Sequence, residues 1–326
     1  MKILVTGGAG YIGSHVVLDL IDAGYEVAVL DDLSSGWAEN VDSRASFIKG
    51  STHESDLLQE ALSDGVEAVI HLAAFKAAGE SMKKPEKYTH NNIDGTLNLL
   101  NAMLDCGVNK FVFSSTAAVY GDPQYLPMDE EHPVKPANYY GFTKLMIEEC
   151  LDWYGKLRGL RFAALRYFNA AGYDPEGRVR GLEKNPANLL PVVMETAAGI
   201  RQEMAVFGND YETSDGTGVR DYIHVTDLAE AHVRALEHLD ENSSLTVNLA
   251  AGESFSVLDV INKAREITGE EIAFCVMDRR LGDPAELIAT SKRAADLLGW
   301  RPKRSDLDTI LNTMWQVYKP EEKLVS

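Results

Sequence analysis

Two residues set four apart, Tyr140 and Lys144 in "YYGFTKLMIEE" (Tyr139–Glu149), are candidates for acid–base work. On a helix they share a face. A neighbouring ammonium favours the phenolate, which lowers the tyrosine pKa and lets it act as a base near neutral pH. With 13 tyrosines in the chain, the pair alone fits equally well a helix edge where Tyr140 merely packs. Upstream, "FVFSSTAAVYG" (Phe111–Gly121) sets two hydroxyls, Ser114 and Thr116, at the end of an apolar run. Ligands of open α/β sheets bind at the carboxyl ends of strands, and this favours the chemical reading.

A second constellation opens the chain. In "MKILVTGGAGYIGSH", Gly8, Gly10 and Gly13 match G-x-G-x-x-G, while Gly7, Gly10 and Gly13 match the wider G-x-x-G-x-x-G. Either suits a strand that stops abruptly and turns into a helix, leaving helical N–H groups aimed at an anion. A second apolar run ends at Asp31, about 20 residues on, where an acid can hydrogen-bond the adenosine ribose hydroxyls. Asp31 and Asp32 would repel a ribose 2′-phosphate, and no arginine follows until Arg44. The expected dinucleotide is therefore NAD rather than NADP.

These residues need a scaffold. Short apolar runs at Lys2–Thr6, Glu26–Leu30, Ser46–Lys49, Ala68–Leu72, Lys110–Ser114 and Arg161–Arg166 predict strands. They are nearly continuous rather than alternating, as in parallel strands covered on both faces. Helical patterns lie between them, for example Tyr11–Ala23, Glu86–Leu104 and Tyr140–Lys156. Such alternation over the first half predicts an α/β fold with a doubly wound parallel sheet. The rhythm breaks after Arg166. "YDPEGRVRGLEKNPAN" (Tyr173–Asn188) reads as a long functional loop, followed by a helix at Leu190–Ala198 and a strand at Ala205–Gly208. In "VRDYIHVTDLAEAHVRALEHL", Thr226 or Asp227 is placed to cap a helix.

Composition excludes several function classes. The 326 residues are 45% hydrophobic and 25% charged, the balance of a globular protein with a sizeable core. No apolar run approaches the roughly 20 residues of a membrane helix, and the reading is a cytoplasmic protein with no membrane partner. The three cysteines, Cys106, Cys150 and Cys275, are scattered and read as reduced thiols packed in a core. A net charge of −19 argues against nucleic acid and requires any anionic ligand to be held by local cations. His71 and His224 end strand-like runs and read as packed side chains, so no metal site is expected.

The chain resembles the extended short-chain dehydrogenases/reductases and, among them, the UDP-galactose (UDP-glucose) 4-epimerases. The motifs span nearly the whole sequence: "TGGAGYIGSH", "HLAAFKAAGES", "NNIDGTLNLL", "FSSTAAVYG", "YYGFTK", "LRYFNAAG", "NLLPVV", "VFGNDYETSDGTGVRDYIHVTDLA" and "RRLGDPAEL", in that order. The resemblance implies a Rossmann-type NAD-binding domain over residues 1–170, with 216–245 returning to it. A smaller α/β domain for the UDP-sugar would use 171–215 and 246–320, and 321–326 would form a frayed tail.

It also implies roles. Thr116 would hydrogen-bond the sugar 4-hydroxyl, Tyr140 would be the base and Lys144 would fix the nicotinamide ribose. Beside Gly7, Gly10, Gly13 and Asp31, the cofactor would meet Tyr11, Ile12, Asp32, Ser35, Ser51, Leu72, Ala73, Lys76, Asn91, Ser114 and Tyr167. The nucleotide-sugar would meet Asn169, Asn188, Leu189, Phe207, Arg220, Arg280, Asp283 and Leu287. Arg220 also stands out physically, because an acidic protein that binds pyrophosphate needs arginine forks. The family pattern usually has Asp where Ser51 stands and often Asn where Asp32 stands.

The implied activity is interconversion of UDP-galactose and UDP-glucose through a 4-keto sugar. Family members that eliminate water carry Asp-Glu directly after the active-site Thr; here Ala117 and Ala118 follow Thr116 and cannot exchange protons. The resemblance further implies a homodimer through the helices near Glu86–Leu104 and Tyr140–Lys156. It leaves two alternatives, added activity on UDP-N-acetylhexosamines through Leu287, and a non-catalytic NAD-sensing protein.

Overall fold

The computed structural model describes residues 1–184, 186–241, 243–280 and 283–320; the tail expected at 321–326 lies outside them. Strands β1 (Lys2–Thr6), β2 (Glu26–Asp31), β3 (Ser46–Lys49), β4 (Val66–His71), β5 (Lys110–Thr116) and β6 (Arg161–Tyr167) follow the expected positions closely. The chain continues through β7 (Asn169–Ala171), β8 (Met204–Phe207), β9 (Val219–His224), β10 (Leu245–Leu249), β11 (Ser254–Ser256), β12 (Phe274–Met277) and β13 (Glu286–Leu287).

Seven strands form one sheet in the order β10-β6-β5-β4-β1-β2-β3, and every pairing is parallel. The strand order reverses between β1 and β4, which opens a crevice at their carboxyl ends. Period-two alternation explains why the runs are wholly apolar. Ile3, Val5, Val27 and Val29 pack one way, against Val16, Val17 and Leu20 of the Tyr11–Asp22 helix and Leu228 and Leu236 of the Val225–Glu241 helix. Leu4, Ala28, Leu30, Phe111 and Phe113 pack the other way, against Leu58, Leu99, Met103, Ile147 and Leu151 of three further helices.

A second, smaller layer holds β11-β9-β13 with β7 on β9, and a two-stranded pair β12-β8. Its own core joins Leu190, Val193 and Met194 to Val206, Val260, Ile261, Ile310 and Leu311. The structure draws the partition differently from expectation at three places: β9, the end of β10, and Ala294, Leu298 and Trp300, which join the core of the large sheet. β9 belongs to the smaller sheet, so the return to the large sheet starts with the Val225–Glu241 helix and runs through β10 to Leu249.

Three local expectations also change. The predicted Glu86–Leu104 helix is interrupted: a short helix at Pro85–Tyr88 passes into a π-helical turn, Thr89–Asp94, before Gly95–Asp105 resumes α-helix. Asp227 does not cap its helix. Its Oδ2 accepts hydrogen bonds from the Lys303 and Arg304 amides and the Ser305 hydroxyl, while the Thr226 amide donates to His224 Nδ1. The three cysteines are free, as expected, but only half-buried. No helix among the described residues is long and apolar enough to cross a membrane.

Candidate active site

The glycine turn is built by close approach. Gly7 follows β1 with φ of 77°, and a Cβ there would lie 2.6 Å from the Ala73 amide nitrogen. A Cβ on Gly13 would lie 2.1 Å from the Gly7 carbonyl oxygen. Gly8 faces away, against Val29. The wider spacing, Gly7–Gly10–Gly13, is therefore the one that shapes the cradle, and the first turn of the Tyr11–Asp22 helix opens onto it. Asp31 ends β2 and ties this turn down, accepting from the Ala9 amide at 3.0 Å and the Leu33 amide at 2.8 Å. Burial raises the Asp31 pKa, and the two N–H bonds oppose that shift.

A cavity of about 360 Å³ runs from this cradle to Tyr140, and every residue expected to meet the cofactor lines it. Ser51, in the same lining, closes a small turn: its amide donates to Glu54 and its hydroxyl accepts from the His53 amide. Lys76 lines the cavity, but its ammonium pairs with Glu183 at 2.5 Å. Glu183 belongs to the loop expected at Tyr173–Asn188, which acts as a strap over the cleft. Lys184 donates to the Leu33 and Gly36 carbonyls, and Trp37 Nε1 donates to the Leu182 carbonyl.

The catalytic candidates meet where β5 ends. Asn138 caps the Tyr139–Arg158 helix by accepting the Gly141 amide at 2.9 Å. Gly141 has no side chain because a Cβ there would sit 2.4 Å from the Ala118 carbonyl oxygen. That contact seats the helix start on the turn after Thr116, with Tyr140 beside the threonine. The Tyr140 amide is fixed by the Ser81 hydroxyl at 3.0 Å. Lys144 is buried, donates to the Ser114 carbonyl at 2.7 Å and lies 4.7 Å above the Phe113 ring.

The electrostatics correct one expectation. Burial pushes Tyr140 up to about 12, with a hydrogen bond involving Thr116 acting downward. Burial also pulls Lys144 down to about 7, with Glu148 opposing. Lys144 does not depress the tyrosine in this environment, since its ammonium is held against a strand carbonyl and desolvation acts on both groups.

The nucleotide-sugar candidates fall elsewhere. Asn188 alone of them, apart from Tyr140, lines the cofactor cavity; it precedes the Leu189–Ala197 helix and makes no side-chain cap. Thr116, Asn169, Leu189, Phe207, Arg220, Arg280, Asp283 and Leu287 lie outside the lining. Asn169 on β7 donates to the Asp221 carbonyl at 2.8 Å. Arg220 on β9 is engaged by Asp283 and by the carbonyls of Val219, Pro284 and Ala285. Arg280 lies 3.9 Å above the Phe207 ring. Leu287 on β13 stands opposite Arg220 in register and packs with Val119, Tyr120, Met128 and Phe168.

Asn92 was not singled out in the sequence, yet it joins three elements: it brackets the Phe75 peptide, accepting its N–H and donating to its C=O, and donates to Thr143 at 3.2 Å. The neighbouring Asn91, beside the same cavity, donates to it. The π-helical turn presents both side chains, a distortion that hydrophobic periodicity does not reveal. His71 and His224 have both ring nitrogens hydrogen-bonded, as packed histidines should. No cluster of metal-ligating side chains occurs among the described residues.

The sequence pattern of the NAD dependent epimerase/dehydratase family matches residues 3–250. The chain belongs to that family. A UDP-glucose 4-epimerase of Halalkalibacterium halodurans is 47% identical over 98% of this chain and 96% of its own. One from Lacticaseibacillus casei is 46% identical over 97% and 96%. The crystal structure of UDP-glucose 4-epimerase from Brucella ovis in complex with NAD superposes with a TM-score of 0.95 at 42% identity, covering 97% of this chain and 98% of that one. The cradle fits the family's cofactor on its own geometry: Gly7 and Gly13 let β1, the turn and the helix start pack closer than any Cβ would allow, and the residues expected to meet the cofactor line the cavity beside them.

Proposed function

We propose that the protein is an NAD-dependent epimerase that interconverts UDP-galactose and UDP-glucose at carbon 4. The observation that carries this reading is the seating of Tyr140, on the wall of the cleft that begins at the glycine turn, beside Thr116 at the end of β5. When bound, NAD supplies the hydride acceptor and then the donor for carbon 4, and its oxidised ring brings a positive charge into the cleft.

The chain's own residues do the rest. Thr116 hydrogen-bonds the 4-hydroxyl while Tyr140 takes its proton and later returns it. For that, Tyr140 must come down from about 12; the Thr116 hydrogen bond and any cation entering the cleft act in that direction. Inversion requires the sugar to present its other face between the two transfers. Phe207, Arg220, Arg280, Asp283, Asn169, Asn188 and Leu189 would hold the UDP handle, so binding energy remote from carbon 4 leaves the sugar free to turn. Ala117 and Ala118 form the turn after Thr116 and offer no proton-exchanging group for an elimination. Purified protein should convert UDP-galactose to UDP-glucose with NAD and not with NADP. Failure to convert either sugar would favour an NAD-sensing protein, and equal support by NADP would overturn the role of Asp31.

A second reading concerns substrate range. Leu287 is about four non-hydrogen atoms smaller than Tyr, and an acetamido group adds about three over a hydroxyl. Its position opposite Arg220 supports a gate beside the sugar, and weaker turnover of UDP-N-acetylglucosamine is expected. Leu287→Tyr should suppress that turnover and spare the plain hexoses; equal loss on both would remove Leu287 from the role.

Homodimer formation is also proposed. Phe142, Trp153 and Leu157 stand exposed on the Tyr139–Arg158 helix, Trp153 at 61% and Leu157 at 71%. Light scattering at micromolar protein should give twice the chain mass, and a monomer would contradict it. A cytoplasmic location is in keeping with the three free thiols.

A further inference from the structure

One buried ion pair lies directly beneath the catalytic residues. Glu148, one helical turn past Lys144, and Arg166 of β6 are each only 7% exposed. Arg166 grips the carboxylate with two prongs, Nε to Oε1 at 3.0 Å and Nη2 to Oε2 at 2.6 Å. The Ser115 hydroxyl donates to the same Oε1. Ser115 and Arg166 face each other in the β5–β6 register, and the next rung is Thr116 opposite Tyr167. The residue before Ser115 is Ser114, whose carbonyl accepts Lys144. The far side of Arg166 is also held: Nη1 donates to the Tyr120 hydroxyl at 2.9 Å, which donates to Asn248 of β10 at 2.6 Å.

The surroundings are apolar, with Phe113, Ile147, Leu151 and Ala164 fully buried nearby. Burying two charges there is costly, and hydrophobic residues of the same volume often do as well or better for stability. A pair that grips the rung next to Thr116 is therefore better explained by what it positions.

We propose that Glu148, clamped by Arg166, is a positioning residue for the epimerase centre, fixing strand residues Ser114–Thr116 against the helix that carries Tyr140 and Lys144 and keeping the Lys144 ammonium charged. The inference rests on the epimerase reading. The groups around Lys144 leave few other anions for the second task. His71 of β4 is buried and held neutral, pulled down to about 3 by desolvation with Lys144 adding to the effect. Tyr140 on the same helix and Tyr167 on β6 are both raised by burial and therefore neutral. Phe113 offers a ring face and Ser114 a carbonyl. Arg166 is a cation engaged by Glu148. Glu148 opposes the burial that pulls Lys144 down.

Four variants, loaded with NAD, test this: Ser115→Ala, which removes the grip and leaves the ion pair; Glu148→Gln; Glu148→Asp, which keeps the charge; and the double variant Glu148→Gln/Arg166→Gln, which removes both charges without stranding one. Ser115→Ala should lower kcat about 10-fold, up to about 10²-fold for a misplacement near 1 Å, with KM for UDP-galactose within about twofold. In Glu148→Gln, the alkaline limb of the kcat profile should move to lower pH; the double variant, which also removes the Arg166 cation, should move it less. Titration of the lysine side-chain carbons by NMR should show the Lys144 ammonium losing its proton at lower pH as well. Glu148→Asp should recover most of the rate. If Glu148→Gln does not fold, Ser115→Ala and the double variant decide. Folded variants with parental kcat, or an unmoved alkaline limb and Lys144 titration, overturn the proposal. A parent protein inactive on both UDP-hexoses would instead overturn the epimerase reading, and the NMR titration would still judge the charge claim.

Discussion

The dinucleotide cleft and the nucleotide-sugar shell are made in different ways. The cleft is backbone shape: Gly7 and Gly13 stand where a Cβ would be 2.6 and 2.1 Å from its neighbours, and Asp31 is tied to the same turn by the Ala9 amide and to its own loop by the Leu33 amide. The shell is side chains already engaged with one another, Arg220 with Asp283 and Arg280 over Phe207. A backbone cradle is preorganised and gives up little freedom on binding. On the proposed reading, the shell would exchange these internal partners for the ligand's phosphates and base. On that reading, the cleft would hold one cofactor through many cycles and the shell would release product after each.

The sharpest break is at the joint between the two regions. Tyr140→Phe should keep the fold and the bound NAD and lose roughly 10²–10⁴ in kcat, the range for a positioned acid–base group. A rate near that of the parent would remove Tyr140 from the chemistry. Next in size, Arg220→Ala should weaken UDP binding by about 10–100-fold, the loss of a charge-assisted contact of about 1.5–3 kcal/mol. NAD content should stay unchanged, as calorimetry with UDP and the absorbance of released cofactor would show. Loss of NAD from this variant would mean the two regions are not separable. The smallest effect is expected at the strap. Glu183→Gln removes a half-exposed ion pair with Lys76, worth up to about 1 kcal/mol. NAD should dissociate no more than about fivefold faster, measured by cofactor loss on dilution; no change would confine the strap's hold to Lys184 and Trp37.

The same contrast decided what could be read from the residues alone. Glycine spacing leaves a direct trace in letters, because only glycine survives at Gly7 and Gly13, and an acid ending the next strand completes the pattern at Asp31. Parallel strands buried on both faces likewise announce themselves as unbroken apolar runs. The strap pairs were hidden because Lys76 meets Glu183, and Trp37 meets Leu182, only after the chain folds back across more than a hundred residues. The π-helical turn was hidden because its apolar residues keep a helical rhythm on either side. The sheet that β9 joins is not legible in the letters, because a strand of six residues carries no mark of its partners. The direction of the Tyr140 shift was misread for a related reason: spacing shows that Lys144 is near, but not that both groups are buried and that the ammonium turns to a carbonyl.

The central claim is that carbon 4 gives up a hydride to the bound cofactor and receives the same one back. UDP-galactose deuterated at carbon 4 tests it directly, with the product analysed by mass spectrometry and NMR after turnover in ordinary water. The account predicts UDP-glucose that retains its deuterium at carbon 4, with no net build-up of reduced cofactor. Product carrying solvent hydrogen at carbon 4 would contradict it, because the bond would then have been broken by proton removal and remade from water.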